Sequence, residues 1–137
     1  MYLENKRIFV VEDNVGSRTI MELLFEQHGA TAIFTQWDSE TITRLRDFAP
    51  VDLIILDLML PDGITGYNVF DVLHDLAEFE SVPILAVSAA YPATAIPEAQ
   101  TRGFSGFIGK PIHYNTFPNQ VARVIAGEKI WQSDFQK

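Results

Sequence analysis

Four short apolar runs, each followed by polar residues, constrain the fold of this chain more than any other feature. The runs and their followers are Ile8–Val11 with Glu12 and Asp13, Leu53–Leu56 with Asp57, Pro83–Val87 with Ser88, and Phe107–Ile108 with Gly109 and Lys110. Nearly continuous apolar runs of this length are typical of strands buried on both faces, as in a parallel sheet covered by helices. Residues 31–34 form a weaker fifth candidate strand.

Segments with apolar residues three or four positions apart lie between the strands and predict helices. They are 15–28, capped by Asn14 and ended by Gly29; about 38–48, capped by Asp38 or Ser39; about 66–79; about 96–102; and about 114–126. The fourth is short because Pro92 and Pro97 fall inside the segment 89–102, and proline is tolerated only in the first turn of a helix, so the helix would start near Pro97. Strand and helix repeated five times predict an α/β domain with a parallel sheet and right-handed crossovers.

Length and charge narrow the class of protein. The 137 residues fit one domain, with 18 Asp and Glu against 10 Lys and Arg, a net charge of -8. This acidity argues against nucleic acid or an anionic membrane as partner, because both require positive charge. Cysteine is absent, no apolar run reaches the ~18 residues of a membrane span, and the N-terminus lacks an apolar signal segment. We expect a cytoplasmic protein with one domain over 1–126 and a tail over 127–137, and the sequence leaves open whether this tail packs on the core.

The polar residues at the strand ends suggest a reaction. The carboxyl ends of parallel strands meet at one edge of the sheet, where ligands bind. Three carboxylates from Glu12, Asp13 and Asp57 repel one another unless a cation lies among them, and an all-oxygen ligand set suits Mg²⁺. Together with Lys110 they leave a local charge of -2 that one Mg²⁺ would neutralise. Because Asp can form an aspartyl-phosphate, and Lys110 and Ser88 can contact phosphoryl oxygens, the set predicts a metal-assisted phosphoacceptor site.

Each of these residues has a commoner explanation when it is taken alone. Asp13 can be a helix cap, Asp57 and Ser88 turn residues, and Lys110 a solvated surface lysine. Chance alone would rarely place all of these residues at the ends of four separate predicted strands.

The combined pattern resembles the receiver domain of response regulators in bacterial two-component systems. The matching segments are Val10–Asn14, Leu53–Pro61, Val87–Ala89 and Gly109–Pro111, and the resemblance covers about residues 6–126. It implies a flavodoxin-like three-layer (βα)5 sandwich whose five-stranded parallel sheet has the order 2-1-3-4-5. We expect a stand-alone receiver domain, since the residues after the fifth helix are too few for a DNA-binding domain.

The resemblance also implies a role for each site residue. Asp57 would accept a phosphoryl group from a sensor histidine kinase or a histidine phosphotransfer protein. Asp13, Asp57 and the backbone carbonyl of Met59 would bind Mg²⁺ directly, and Glu12 largely through a water.

Further residues of the family pattern concern the phosphoryl group. Lys110 would pair with it, Ser88 would move towards it, and Phe107 would rotate inward as a coupled aromatic switch. For Phe107, a plain core position is the commoner role of a strand phenylalanine. The Lys110–Pro111 peptide bond would be cis, a form that proline makes accessible at about 0.5–1 kcal/mol.

The sequence departs from the family pattern at several positions. Gly66 comes nine residues after the acceptor rather than the usual eight, which leaves the start of the third helix open. Pro97 lies in the fourth helix, which forms part of the family's output surface. Phe104 stands where the family commonly has a small residue, and its large side chain either thickens the core or marks an exposed contact. Met59 and Ala90 occupy the positions that flank the attacking water during dephosphorylation, and neither side chain can orient a water. We therefore expect a long-lived phosphoryl group.

Other functions remain as alternatives. A haloacid-dehalogenase-type phosphatase also uses an Asp nucleophile, but it carries a second Asp where this chain has Met59. A flavodoxin-like FMN carrier needs a phosphate loop rich in Ser, Thr and Gly, whereas this loop is Glu12–Asn14. A receiver-like adaptor that is not phosphorylated is the third. We expect a signalling domain rather than an enzyme. This domain would act through protein contacts, a phosphorelay step or a homodimer.

Overall fold

A parallel sheet lies at the centre of the computed structural model, which describes residues 2–132. Its strands are β1 (Arg7–Val11), β2 (Thr31–Thr35), β3 (Leu53–Leu56), β4 (Ile84–Ser88), β5 (Gly106–Gly109) and β6 (Ile130–Gln132). Their order is β2-β1-β3-β4-β5-β6, and every neighbouring pair is parallel. The predicted order of the first five strands is confirmed. The tail adds β6 beyond β5, and its last residues, 133–137, lie outside the described residues.

Helices follow the strands along the chain. They are α1 (Val15–Gln27), α2 (Thr41–Phe48), α3 (Gly66–His74), α4 (Pro92–Arg102) and α5 (Phe117–Ile125), with short 3-10 turns at Pro61–Gly63 and Ala77–Phe79. The predicted ends of α1 are confirmed. The Asn14 side chain accepts a hydrogen bond from the Ser17 amide, and Gly29 follows the helix with φ of +87°. Among the described residues, none of the helices combines the length and the apolar character needed to cross a bilayer.

Three helix boundaries differ from the predicted ones. The helix α2 begins at Thr41, because Asp38 accepts a hydrogen bond from the Glu40 amide and so closes a turn ahead of the helix. The helix α3 ends at His74, and the apolar periodicity continues into a separate 3-10 turn. The helix α5 begins at Phe117, after a turn over residues 114–116. The turns at Ala77–Phe79 and 114–116 continue the apolar spacing of the helices beside them, and Asp38 is a residue type that closes turns as well as capping helices, which explains the errors.

The prediction of a short fourth helix was wrong. The helix α4 has 11 residues and contains Pro97 in its interior. Proline there removes the single hydrogen bond that would join position 97 to the carbonyl of Ala93, and both residues are exposed. Ala95 and Ala99, on another face, are buried in the core, so that tertiary packing holds the helix despite the lost bond.

The sheet separates two apolar cores. Helices α2, α3 and α4 cover one face and helices α1 and α5 the other, which gives the predicted three layers. Phe104 lies in the first core, 1% exposed, with its ring stacked on Phe70 at 4.4 Å between centroids. The large residue at this position therefore thickens the core.

Candidate functional site

The polar residues that follow the strands meet at the carboxyl edge of the sheet. Glu12 and Asp13 follow β1, Asp57 follows β3, Ser88 ends β4, and Lys110 follows β5. The register pairs Val11 with Leu56 and Ser88 with Gly109, so the residues after each strand come to the same level. The structure thus brings together the strand-end residues that the sequence singled out.

Asp57 lies at the centre of this group and is 5% exposed. Its Oδ1 accepts hydrogen bonds from the Ser88 hydroxyl at 2.8 Å and from the Met59 amide at 2.9 Å. Its Oδ2 accepts one from Lys110 Nζ at 2.9 Å. Both oxygens of the carboxylate are therefore held by donors, which fixes the orientation of the group.

Lys110 joins Asp57 to Glu12. Its Nζ lies 2.7 Å from Glu12 Oε1, while Glu12 Oε2 accepts a hydrogen bond from the Asn14 amide. Burial raises the pKa of Glu12 to about 7, although the Lys110 ammonium opposes this rise. Burial by itself lowers the pKa of Lys110, but its hydrogen bonds to Glu12 and Asp57 outweigh this effect and raise it. Lys110 is therefore charged at neutral pH.

An acidic cluster forms beside this ion pair. One carboxylate oxygen from each of Glu12, Asp13 and Asp57 lies within 4.8 Å of the others. When all three carboxylates are ionised, the single Lys110 ammonium leaves two negative charges uncompensated. A set of carboxylate oxygens with excess negative charge has the chemistry that hard divalent cations require, so these residues fit such an ion.

The site opens into a surface cavity of about 590 Å³. Asp13, Asp57 and Lys110 line it together with the apolar side chains of Ile20 and Ile112. Sequence reasoning missed this apolar rim. Ile20 belongs to the apolar spacing that predicts α1, but it is 40% exposed, and its place beside the cavity depends on how α1 rotates against the sheet.

The loop between β3 and α3 absorbs the extra residue. Residues 61–63 form a 3-10 turn in which Asp62 has φ of +62°, and the predicted helix start at Gly66 is confirmed. A Cβ atom at Gly66 would lie 2.4 Å from the Asp57 carbonyl oxygen. Only glycine allows α3 to begin this close to the backbone of Asp57.

The remaining predicted site residues lie around this centre. Phe107 is fully buried in the core on the side of α2, α3 and α4. Met59 is 60% exposed beside Asp57, and Ala90 is half-buried. The Lys110–Pro111 bond is cis, as expected, and Ala49–Pro50 is a second cis bond, for which the sequence pattern gives no signal.

Comparison with known proteins gives consistent matches. The family model of the response regulator receiver domain matches residues 8–122. The polar-differentiation response regulator DivK of Brucella ovis is 30% identical over 112 residues, which are 82% of this chain and 89% of DivK. The CAI-1 autoinducer sensor kinase/phosphatase CqsS of Vibrio cholerae is 27% identical over 118 residues, 85% of this chain but only 17% of that kinase.

Solved structures share the fold. The chemotaxis response regulator CheY4 of Vibrio cholerae superimposes with a TM-score of 0.76 at 21% identity, covering 88% of this chain and 98% of CheY4. A response regulator from Thermotoga maritima gives a TM-score of 0.77 at 20% identity, covering 89% of this chain and 98% of that one. Because the family model spans most of the chain, and the match to DivK covers most of both proteins, the chain belongs to the response regulator receiver domain family.

Proposed function

We propose that Asp57 is the phosphoacceptor of this receiver domain. The observation that carries the proposal is the arrangement around its carboxylate, with Ser88 and Met59 on one oxygen and Lys110 on the other. Asp57 also lines the open cavity, so a phosphodonor can approach it. A fixed, accessible carboxylate beside a cationic group is what nucleophilic attack on phosphorus requires.

The phosphodonor in this proposal is a phosphohistidine of a sensor histidine kinase or a histidine phosphotransfer protein. An Asp57 carboxylate oxygen attacks phosphorus and forms an O–P bond while the N–P bond to the imidazole breaks. The released imidazole nitrogen takes up a proton from water, and Asp57 becomes an acyl phosphate. Lys110 Nζ and the Ser88 hydroxyl, which now bind Asp57, are close enough to transfer their hydrogen bonds to the new phosphoryl oxygens.

Mg²⁺ is the proposed cofactor. Asp13, Asp57 and the Met59 carbonyl would hold it, with Glu12 contributing through a water. The ion supplies positive charge that offsets the charge on the phosphoryl oxygens. The acidic cluster with its two uncompensated charges supports this assignment.

The proposed output is a protein contact that depends on phosphorylation, in the cytoplasm, with a phosphorelay partner, a target protein or a second copy of the chain. Phosphorylation would shift an existing equilibrium between two conformations through Ser88 and Phe107. We propose no turnover of free phosphate esters, because the position two residues after Asp57, where a phosphatase of the haloacid-dehalogenase type carries its acid, is Met59.

Labelling with acetyl phosphate tests the proposal. The protein should take up one phosphoryl group in the presence of Mg²⁺, and Asp57→Asn should take up none. Asp62→Asn is the matched control, since it changes an exposed acid in the adjoining loop and asparagine tolerates the positive φ of that position. Label that persists on Asp57→Asn would assign the acceptor to another residue.

A further inference from the structure

The strand β6 is the outermost strand beside β5, and the proposed function gives β6 no role. It pairs with β5 in a register that places Ile130 opposite Gly106 and Trp131 opposite Phe107. An outermost strand presents a row of unpaired N–H and C=O groups. β6 covers that row on β5 and so makes β5 an interior strand.

The close approach of β6 depends on a glycine in β5. A Cβ atom at Gly106 would lie 2.5 Å from the carbonyl oxygen of Ile130 and 3.0 Å from Cδ1 of Leu85. The first of these neighbours is backbone, which cannot move away by a side-chain rotation. A side chain at position 106 is therefore incompatible with β6 in its observed place.

Contacts on both faces of the sheet hold β6. Ile130 packs on the core beneath α1 and α5, and Trp131 packs on the core of the opposite face. The Gln120 side chain of α5 donates a hydrogen bond to the Gln132 side chain. Contacts on both faces of the sheet thus hold β6 against the outer side of β5.

The strand β5 delivers Lys110 to the site. Lys110 is the next residue after this strand, its amide donates a hydrogen bond to the Ser88 carbonyl at 3.0 Å, and its Nζ contacts Glu12 and Asp57. β5 has four residues with a glycine at each end, and glycine weakens a strand. The position of Lys110 therefore depends on what holds β5.

We propose that β6 is a positioning element for Lys110, with Trp131 as its principal positioning residue. The proposal rests on the proposed function of Asp57 as phosphoacceptor. Trp131 acts through β5 and does not contact the phosphoryl group. When β6 is displaced, β5 is free on its outer side, Lys110 Nζ samples positions away from Asp57, and phosphorylation slows.

Labelling rates of matched variants test this role. We expect Trp131→Ala and Gly106→Ala to lower the maximal rate of labelling by acetyl phosphate by about 10- to 100-fold, the loss that a small misplacement of a reacting group causes. Trp131→Phe should restore most of the rate. Trp37→Ala is the control, because Trp37 is also half-buried against the same core but lies just beyond β2, at the opposite end of the sheet.

The outcomes separate the two proposals. Failure of the unaltered protein to label would overturn the proposed function. If it labels, and the Trp131→Ala and Gly106→Ala variants label equally fast although amide exchange shows β5 to be exposed, the positioning role is overturned.

A reciprocal experiment needs no destabilised variant. In a Trp37→Phe chain, Trp131 is the only tryptophan. Binding of beryllofluoride with Mg²⁺, followed independently by fluorine NMR, should shift the emission of Trp131, since coupling between two sites is reciprocal. Bound beryllofluoride with unchanged emission would contradict the coupling, and absence of binding would count against the phosphoacceptor site itself.

Discussion

At the scale of single residues, Asp13 is the member of the acidic cluster whose charge is least compensated. Lys110 contacts Glu12 and Asp57, whereas the Asp13 side chain makes no hydrogen bond or ion pair within residues 2–132. Asp13 lines the open cavity and faces the other two carboxylates. The repulsion among these acids makes the site a source of instability until a cation binds.

Mg²⁺ should therefore stabilise the protein. An ion that binds only the folded state contributes about 2.7 kcal/mol at a concentration 100 times its dissociation constant, which raises Tm by several degrees. NaCl at equal ionic strength should have a much smaller effect. Asp13→Asn should raise Tm in the absence of Mg²⁺, because one repulsive charge is gone, and should lose most of the response to the ion. Calorimetry that finds equal Mg²⁺ responses in both proteins would contradict the site.

The residues around Asp57 predict how long the phosphoryl group persists. Hydrolysis requires a water positioned for attack, and neither Met59 nor Ala90 can orient one with a side-chain hydrogen bond. Met59 is exposed beside Asp57, so Met59→Asn adds an amide there without disturbing the core. We expect this variant to lose phosphate about 10-fold faster, measured by phosphate release after labelling. Loss within seconds from the unaltered protein would contradict the expected long lifetime.

The sequence predicts which residues meet at the site but not which atoms touch. Asp57, Ser88 and Lys110 follow parallel strands, and such strands end at one edge whatever their side chains do. The direct ion pair between Glu12 and Lys110 depends on side-chain conformations and burial, for which the sequence has no signal. The apolar rim at Ile20 depends on the rotation of a helix, which apolar spacing alone does not determine.

At the scale of elements, Pro97 in the interior of α4 lowers the stability of the folded protein. Proline in a helix interior costs about 3 kcal/mol through the missing hydrogen bond and the steric conflict with the preceding turn. Pro97→Ala restores the bond. The greater conformational freedom of alanine in the unfolded chain offsets only about 0.4–1 kcal/mol of this gain in stability. We expect a rise in stability of about 2 kcal/mol in urea denaturation.

Pro92→Ala is the matched control for this prediction. Pro92 is the first residue of the same helix, where an amide N–H has no partner within the helix. Its replacement should leave stability unchanged or slightly lower. Equal gains from both substitutions would mean that the interior hydrogen bond is not what limits α4.

Strands and helices differ in how well the sequence predicts them. Apolar runs such as Leu53–Leu56 reproduce the strands to within a residue or two, because burial on both faces tolerates only apolar side chains. The errors lie at helix ends and at Pro97. There, local rules for proline and for capping compete with packing against the sheet, and packing dominates the stability of a helix within a protein.

At the scale of the whole molecule, the acidic balance divides into two parts. Glu12, Asp13 and Asp57 lie at the proposed cation site with Lys110, and these four residues account for a quarter of the net charge of -8. Exposed ion pairs such as Arg46–Glu78 and Arg102–Asp71 place other charges at the surface, where each pair contributes little stability. Stability must therefore come from the two apolar cores on either side of the sheet.

This organisation predicts a gradient of protection across the sheet. All residues of β3 and β4 are buried. The residues of β6 are half-buried, and so are most residues of β2. Local opening is easiest where few apolar contacts are lost, so amide hydrogen exchange should be slowest in β3 and β4 and fastest in the outer strands. Mg²⁺ should slow exchange at residues 12, 13 and 57–59 more than in β2, because the proposed ion would be held at the carboxyl edge by residues that follow β1 and β3. Exchange in β6 as slow as in β3, or a response to Mg²⁺ spread evenly over the chain, would show that the sheet opens as one unit.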